Sequence, residues 1–171
     1  SGHNALFAID GNTLTTNVGE SAFDFEDPAK KTFSLRVQAD DGEAGFYEKQ
    51  FTINVTDAND PPTDIGLSDN TVAEGLPAGA TVGVLSVTDV DAEDFHFFSL
   101  PVGVADNAQF TIDGAELKTS AELDFEQKST YAIRVRVTDG GGETFEKDFT
   151  ITVTDVNDTA GVTALLSETT L

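Results

Sequence analysis

"AIRVRVTDGGGETFEKDFTITVTDVND" (residues 132–158) decides the fold, because the chain contains it twice. Residues 34–60 read "SLRVQADDGEAGFYEKQFTINVTDAND". In the later copy Tyr131, Ile133, Val135 and Val137 share one face, while Arg134 and Arg136 take the other. Beyond the turn, Phe149, Ile151 and Val153 alternate with Thr150 and Thr152. Strict alternation of apolar and polar residues, rich in β-branched and aromatic types, marks strands with one buried face. The "DGGGE" between the two runs is a turn, since Gly and Asp tolerate the backbone a reversal needs.

The duplication extends outward. "NALFAIDGNTLTT" (residues 4–16) returns as "NAQFTIDGAELKT" (107–119), "FDFE" (23–26) returns as "LDFE" (123–126), and "DIGLSDNTV" (64–72) matches "TALLSETTL" (163–171). A repeat of about a hundred residues is therefore cut out of phase. Residues 1–60 read as the back half of one repeat, 61–158 as a whole repeat, and 159–171 as the start of a third. Ser1, Gly2 and His3 read as a scar foreign to the repeat. The whole repeat carries about seven expected strands, near 65–73, 80–88, 95–100, 109–112, 115–118, 130–138 and 144–154, and no convincing 3.6-residue period. The expected fold is all-β: tandem immunoglobulin-like Greek-key sandwiches. Residues 1–60 would then lack about three strands, leaving an open sheet edge and an uncovered apolar face. The strand-like stretch 163–171 is a candidate to cover such a face by exchange between molecules.

Charge narrows the function. Nine Lys and Arg stand against 31 Asp and Glu, a formal net charge of -22. Nucleic acid and anionic membranes both need a basic surface, so neither is an expected partner. No apolar run approaches the ~20 residues of a membrane-spanning helix. There is no Cys, hence no disulfide and no thiolate chemistry. Thirteen Phe in patterned runs argue against disorder and are read as core.

The acids gather at strand ends. Glu74 closes the first expected strand, "DVDAED" (89–94) follows the second, "LDFE" precedes the sixth, "TDGG" follows it, and "DVND" closes the seventh. In a sandwich, strand ends meet at two poles. Glu74, Asp124, Glu126, Asp155 and Asp158 are expected at one; Asp89, Asp91 and Asp139 at the other, facing "DANDPP" (57–62). Oxygen donors without His or Cys suit a hard cation, and flexible mixtures of carboxylate, amide and carbonyl suit Ca2+ better than Mg2+. "DVDAED" does not fit an EF-hand loop, which needs Gly at its sixth position and Glu at its twelfth, where Asp94 and Pro101 stand.

In order and spacing, "VAEGLPAGATVGVLSVTDVDAED", "LDFE", "RVRVTDGGG" and the paired "DANDPP" and "DVND" resemble cadherin repeats, in particular those of large bacterial surface and RTX-type adhesins. The resemblance implies calcium ions at each junction between repeats. For the first junction it implies Asp24, Glu26, Asp57, Asn59 and Asp60, with Asp89, Asp91 and Asp139. For the second it implies Glu74, Asp124, Glu126, Asp155, Asn157 and Asp158. Two departures stand out: Gly75 replaces the Asn usual after that Glu, and "DVNDTAG" lacks the Pro of "DANDPP". The implied function is calcium-stiffened cell adhesion outside a bacterial cell. The expected partners are neighbouring repeats of the same chain, with polysaccharide or like repeats on other cells as outer ligands. A calcium-dependent carbohydrate-binding module is the alternative, for which Phe46 and Tyr47 are the candidate platform.

Bland readings cover the remainder. Asp10 and Asp113 belong to Asp-Gly turns, His96 is a strand residue, Arg134 and Arg136 are solvated, and Glu93 and Asp94 are loop acids. No catalytic constellation is expected. Asp124 and Glu126 lack the apolar pocket that an acid–base carboxylate pair needs.

Overall fold

The computed structural model describes residues 2–91 and 94–157, which divide into two compact units. Unit 1 is Ser1–Asp60 with Val90–Ala92, and unit 2 is Pro61–Asp89 with Glu93–Leu171.

Unit 1 contains two hairpins. β1 (Phe7–Asp10) pairs antiparallel with β2 (Thr13–Thr16), and β3 (Thr32–Asp40) pairs antiparallel with β4 (Phe46–Asn54). Phe33 and Leu35 are buried, and the Phe23 ring lies 5.0 Å edge-on to Phe33 and 5.7 Å from Phe7. Edge-to-face aromatic packing concentrates much of this unit's buried area in a few side chains. His3 adopts a part of its own: its Nδ1 accepts from the Ser34 amide at 3.0 Å, where in unit 2 the Asp106 carboxylate accepts from Ala132 at 2.8 Å.

Unit 2 is a two-sheet sandwich. Its strands are β5 (Asp64–Leu67), β6 (Thr71–Ala73), β7 (Thr81–Thr88), β8 (Phe97–Ser99), β9 (Phe110–Asp113), β10 (Glu116–Thr119), β11 (Thr130–Thr138) and β12 (Thr144–Thr154). One sheet has the order β5-β7-β10-β9 and the other β6-β12-β11-β8. The facing side chains of Ile65, Leu117, Ile133, Val135, Val137, Ile151 and Val153 are fully buried between them. Each such aliphatic side chain removed from water stabilises the fold by roughly 1.5–3 kcal/mol, which makes this layer the main cohesive element.

Three expectations change. The run 65–73 is two strands in different sheets, because Ser68–Asn70 turns the chain: Asp69 accepts from the Thr71 amide at 2.9 Å, and Ser68 Oγ accepts from the Val84 amide at 2.8 Å. Unit 2 thus has eight strands among its described residues. The strand at 95–100 shortens to Phe97–Ser99, paired with Arg136–Thr138. His96 turns to Asp89, and Pro101 brings no amide to a ladder. Finally, Phe95 and Phe97 are 72% and 70% exposed and do not belong to a core, whereas the exposure of Phe46 and Tyr47 agrees with their place outside the core pattern. Arg134 and Arg136 are ion-paired across the sheet, to Asp148 at 2.6 Å and Glu146 at 2.8 Å. The start of a third repeat at 159–171, with its exchange segment 163–171, lies outside the described residues, as does Asp158.

One hydrogen-bonding device recurs in both units, buried in unit 2 and exposed in unit 1. Asn107 Oδ1 accepts from the Arg134 amide at 2.8 Å while its Nδ2 donates to the Arg134 carbonyl at 3.0 Å and the Pro101 carbonyl at 2.8 Å. Asn4 treats Arg36 the same way, at 2.9 and 2.8 Å. The side-chain amide mimics a strand and satisfies both backbone groups of one residue.

Candidate metal centre

Two groups of carboxylates converge, one in each unit. In unit 2, Glu74, Glu126 and Asp155 each bring a carboxylate oxygen within 4.8 Å of the others. Glu74 is fixed by its surroundings. Its own amide donates to the Thr154 carbonyl, Oε1 accepts from the Val156 amide at 2.7 Å, and Oε2 accepts from the Phe125 amide at 2.8 Å. These two amides hold the Glu74 carboxyl below its ordinary value, with Val156 the larger influence. At Glu126 the residue's own amide pulls the carboxyl down. Desolvation and repulsion from Glu74 and Asp155 outweigh that pull and leave it raised. Glu74 and Glu126 thus bring together carboxylate oxygens whose mutual repulsion a shared cation would relieve.

In unit 1 the group is Glu26, Asp60 and Asp91, again within 4.8 Å. The Asp60 amide donates to Asp91 Oδ2 at 2.7 Å. Partial desolvation raises the Glu26 carboxyl against the pull of its own amide, and Asp57, Asp60 and Asp24 repel it further. Both groups consist of oxygen donors alone. Flexible carboxylate sets of that kind suit Ca2+ and lack the imidazole or thiolate donors that Zn, Cu or Ni sites favour.

The "Cadherin domain" family matches residues 69–154, half of the chain. This chain belongs to the cadherin family. Human "Protocadherin Fat 1" is 34% identical over 137 residues, covering 77% of this chain and 3% of that protein. Human "Protocadherin-16" is 36% identical over 168 residues, covering 90% of this chain and 5% of that protein. The cadherin chain thus spans a small fraction of these relatives. Among solved structures, human Protocadherin-24 EC1-2 superposes with a TM-score of 0.73 at 20% identity, covering 92% of this chain and 80% of its own. The extracellular cadherin domains 1-4 of Protocadherin Gamma B7 give 0.65 at 30% identity, covering 90% of this chain and 39% of theirs.

The other expected residues of this cadherin chain are engaged in distinct ways. Asp24 and Asp124 organise the turns after "FDFE" and "LDFE". Asp24 accepts from the Glu26 and Asp27 amides and faces Lys30 at 3.4 Å, and Asp124 accepts from the Gln127 amide at 2.9 Å and its Nε2 at 2.6 Å. Desolvation raises Asp24, but those amides and the Lys30 ammonium prevail and lower it. Asp139 is buried and closes the β11–β12 turn by accepting from the Glu143 amide at 2.8 Å. Asp89 is nearly enclosed and lies 2.7 Å from His96 Nε2, a contact that sequence reasoning missed because the two residues are separated by the loop of the acidic run. Asp94 accepts weakly from the Gly140 amide at 3.3 Å. Asp57, Asn59, Asp155 and Asn157 are solvent-exposed, and the Asn59 side chain donates to the Asp60 carbonyl at 3.5 Å.

Gly75, the departure from the usual Asn, has φ +68° with open space where a Cβ would stand. Both Gly and Asn tolerate that left-handed conformation, so the backbone that carries Glu74 is kept. The cadherin assignment also explains the alternation of β11 and β12 as the long hairpin of one sheet.

Proposed function

We propose that the chain is a stretch of extracellular cadherin repeats in which Ca2+ ties successive repeats into a stiff rod, serving adhesion by a secreted or surface-bound protein. The observation that carries this reading is that the equivalent residues Glu26 and Glu126 each sit in a group of three converging carboxylates, with Asp60 and Asp91 in unit 1 and with Glu74 and Asp155 in unit 2, crowded enough to raise the Glu26 and Glu126 carboxyls.

The first site would draw on Asp24, Glu26, Asp57, Asn59 and Asp60, with Asp89, Asp91 and Asp139. The second would draw on Glu74, Asp124, Glu126, Asp155, Asn157 and Asp158. A bound divalent cation supplies positive charge that offsets the repulsion among these acids. The chain's own work is positional: backbone amides bond oxygens of Glu74, Asp24, Asp124 and Asp139 and so fix the rotamers of these carboxylates. Without compensation the crowded carboxylates repel, and the segments that carry them loosen. Because the donors converge only in the fold, binding adds RT ln(1 + [L]/Kd) to stability, about 2.7 kcal/mol when the ion stands at 100 times its Kd. The domain limits 1–60, 61–158 and 159–171 are part of this proposal, as are a bacterial, RTX-type parent protein and a role that involves no catalysis. The former rests on the sequence resemblance.

Polysaccharide as an outer ligand is supported by exposed aromatics that could stack against sugar rings: the candidate platform residues Phe46 and Tyr47 are 67% and 70% exposed, and Phe95 and Phe97 are 72% and 70% exposed. Retention on insoluble polysaccharide that EGTA abolishes would favour it over a plain spacer.

Calcium titration by calorimetry, paired with thermal melts in calcium and in EGTA, tests the main reading. Saturable heat and a melting point that rises with calcium are expected, with one class of site lost in Asp91→Ala. An identical melting point in EGTA would refute it.

A further inference from the structure

The outer face of the β6-β12-β11-β8 sheet of unit 2 combines exposed aromatics with a charge-balanced row of polar groups. On edge strand β8, Phe98 packs against the core, so its neighbours Phe97 and Ser99 point outward. Phe95, two residues ahead of Phe97, continues the same alternation of exposed and half-buried residues. In register, Phe97 lies opposite Thr138 and Ser99 opposite Arg136, which in turn lies opposite Glu146 of β12. Directly opposed side chains stand about 5 Å apart, and diagonal neighbours remain within reach of aromatic and long side chains. Exposed phenyl rings and a guanidinium–carboxylate pair therefore share one patch.

A cleft of about 410 Å3 opens beside Phe97, between β8 and the β9–β10 turn. Phe97, Phe98 and Ile112 give it apolar walls, and Gly114 and Ala115 of the turn complete it. Its size falls within the roughly 300–1,000 Å3 common for small-ligand sites. His96 also lines it, and the 2.7 Å contact of its Nε2 with Asp89 fixes the imidazole ring.

The charges on this face specify the occupant. Arg134 pairs with Asp148 at 2.6 Å and Arg136 with Glu146 at 2.8 Å. These four groups cancel, on a chain whose formal net charge is -22. Both arginines of the face are thus already matched by acids, and the chain as a whole repels a polyanion. A uronate or sulfated polymer finds no counter-charge here, and a second copy brings the same excess of acids to the contact. A neutral sugar suits what is offered. Its C–H face stacks on an aromatic ring, and its hydroxyls, donors and acceptors at once, match a guanidinium N–H beside a carboxylate oxygen. The other exposed pair, Phe46 and Tyr47, makes a poorer platform. They are consecutive on β4 and so project to opposite faces of its hairpin.

We propose that this face of unit 2 binds a neutral polysaccharide chain, with one pyranose ring seated in the cleft against Phe97 and a neighbouring ring stacked on Phe95. Arg136 and Glu146 hydrogen-bond the hydroxyls on the open side, and Ser99 and Thr138 lie between the rings and the ion pair. The inference rests on the polysaccharide reading above and narrows it to a chemical class of glycan and to named residues.

The test is affinity electrophoresis of the full chain through gels that hold hydroxyethyl cellulose, xylan or galactomannan, with carboxymethyl cellulose as the anionic counterpart. Calcium is present throughout, so the outcome does not turn on the calcium reading. At least one neutral polymer should retard the chain, and carboxymethyl cellulose should not. Phe95→Ala and Phe97→Ala should each weaken retention roughly 2- to 10-fold, with the melting temperature unchanged. Ala115→Leu, which fills the cleft, should abolish it, and Arg136→Met should weaken it. Phe46→Ala combined with Tyr47→Ala should leave it as in the parent chain. Retention that survives Phe95→Ala, Phe97→Ala and Ala115→Leu would overturn this site; should it fall with Phe46→Ala and Tyr47→Ala instead, the polysaccharide reading stands and only its place is wrong. No retention by any neutral polymer would sink both. Stronger retardation by carboxymethyl cellulose would refute the neutral class. A dimer by sedimentation that Phe97→Asp dissolves would make the patch a self-contact and refute the glycan.

Discussion

Leu117→Ala and Leu14→Ala form a matched pair in one molecule: the same substitution, at equivalent positions, in a covered and an uncovered sheet. Leu117 is fully buried and packed among Val82, Leu85 and Ile133. Its truncation loses the transfer free energy of the removed carbons and leaves a cavity that a two-sheet core cannot fully collapse. The expected cost is about 3–5 kcal/mol. Leu14 is 41% exposed and already borders an open cleft, so no enclosed void is created. The transfer term alone, at roughly 0.8 kcal/mol per buried methylene and reduced for the exposed fraction, comes to about 1–1.5 kcal/mol. The chain supplies a reporter for each unit, because its two tyrosines are Tyr47 in unit 1 and Tyr131 in unit 2. Urea unfolding followed by tyrosine fluorescence in Tyr47→Phe and Tyr131→Phe backgrounds reads the two units separately, which matters because a chain of two units need not unfold in one step. Leu117→Ala should shift only the Tyr131 transition, and by the larger amount. Equal costs at the two positions would refute the claim that unit 1 presents the uncovered half of the sandwich seen in unit 2.

Asp64 is held below its ordinary carboxyl value, chiefly by Lys147 and then by the Ile65 amide. A carboxyl lowered on folding contributes stability that is present above its unfolded value, near 3.8, and lost as pH falls through the folded one. Melting-temperature differences between the parent chain and Asp64→Asn should therefore be constant near neutrality and shrink below about pH 4; a difference independent of pH would exclude the Lys147 latch as its source. At Gly75, with φ +68° and no steric neighbour, Gly75→Ala should destabilise unit 2 by about 1 kcal/mol through backbone strain alone. Gly75→Asn should cost less, and equal effects in urea unfolding would contradict the left-handed reading. Glu126→Gln removes one of three mutually repelling acids, so it should raise the melting point in EGTA while lowering it in saturating calcium.

Much of the sandwich was legible because alternation is a local property. Each residue of β11 declares its own face, and the face assigned to Tyr131, Ile133, Val135 and Val137 is the buried one. What the pattern did not declare depends on partners distant in sequence. The change of sheets at Ser68–Asn70 is driven by Asp69 and Ser68 hydrogen bonds that a run of strand-like residues conceals. The exposed Phe95 and Phe97 look like core residues, yet edge strand β8 meets β11 through three residues only, which leaves little sheet to cover them. Asn107 and Asn4 were visible as a repeated "NA" and carried no signal of their strand-mimicking role, since hydrogen bonds to Arg134 and Arg36 span about thirty positions. At the candidate metal centre the residue types were readable, and the division of labour among them was not. Glu26, Asp60 and Asp91 converge in unit 1 and Glu74, Glu126 and Asp155 in unit 2, while Asp24, Asp124 and Asp139 spend oxygens on turn amides.

That division has a physical logic. A carboxylate that must meet other carboxylates is costly to hold in place by side-chain entropy alone, because repulsion drives it toward any rotamer that points away. Backbone amides from a separate strand end solve this without adding a competing cation. Glu74 shows the arrangement most completely: Phe125 and Val156, from two different segments, each donate to one oxygen, and Glu126 and Asp155 adjoin those segments. The amides that orient Glu74 are therefore the covalent neighbours of the acids that it must face. Folding of the sandwich assembles the group, and the group's repulsion is felt by the strand ends that built it. A cation that relieves the repulsion must in turn tighten those strand ends, and for that reason calcium affinity and the local opening of residues 123–127 should change together in every variant that touches either one.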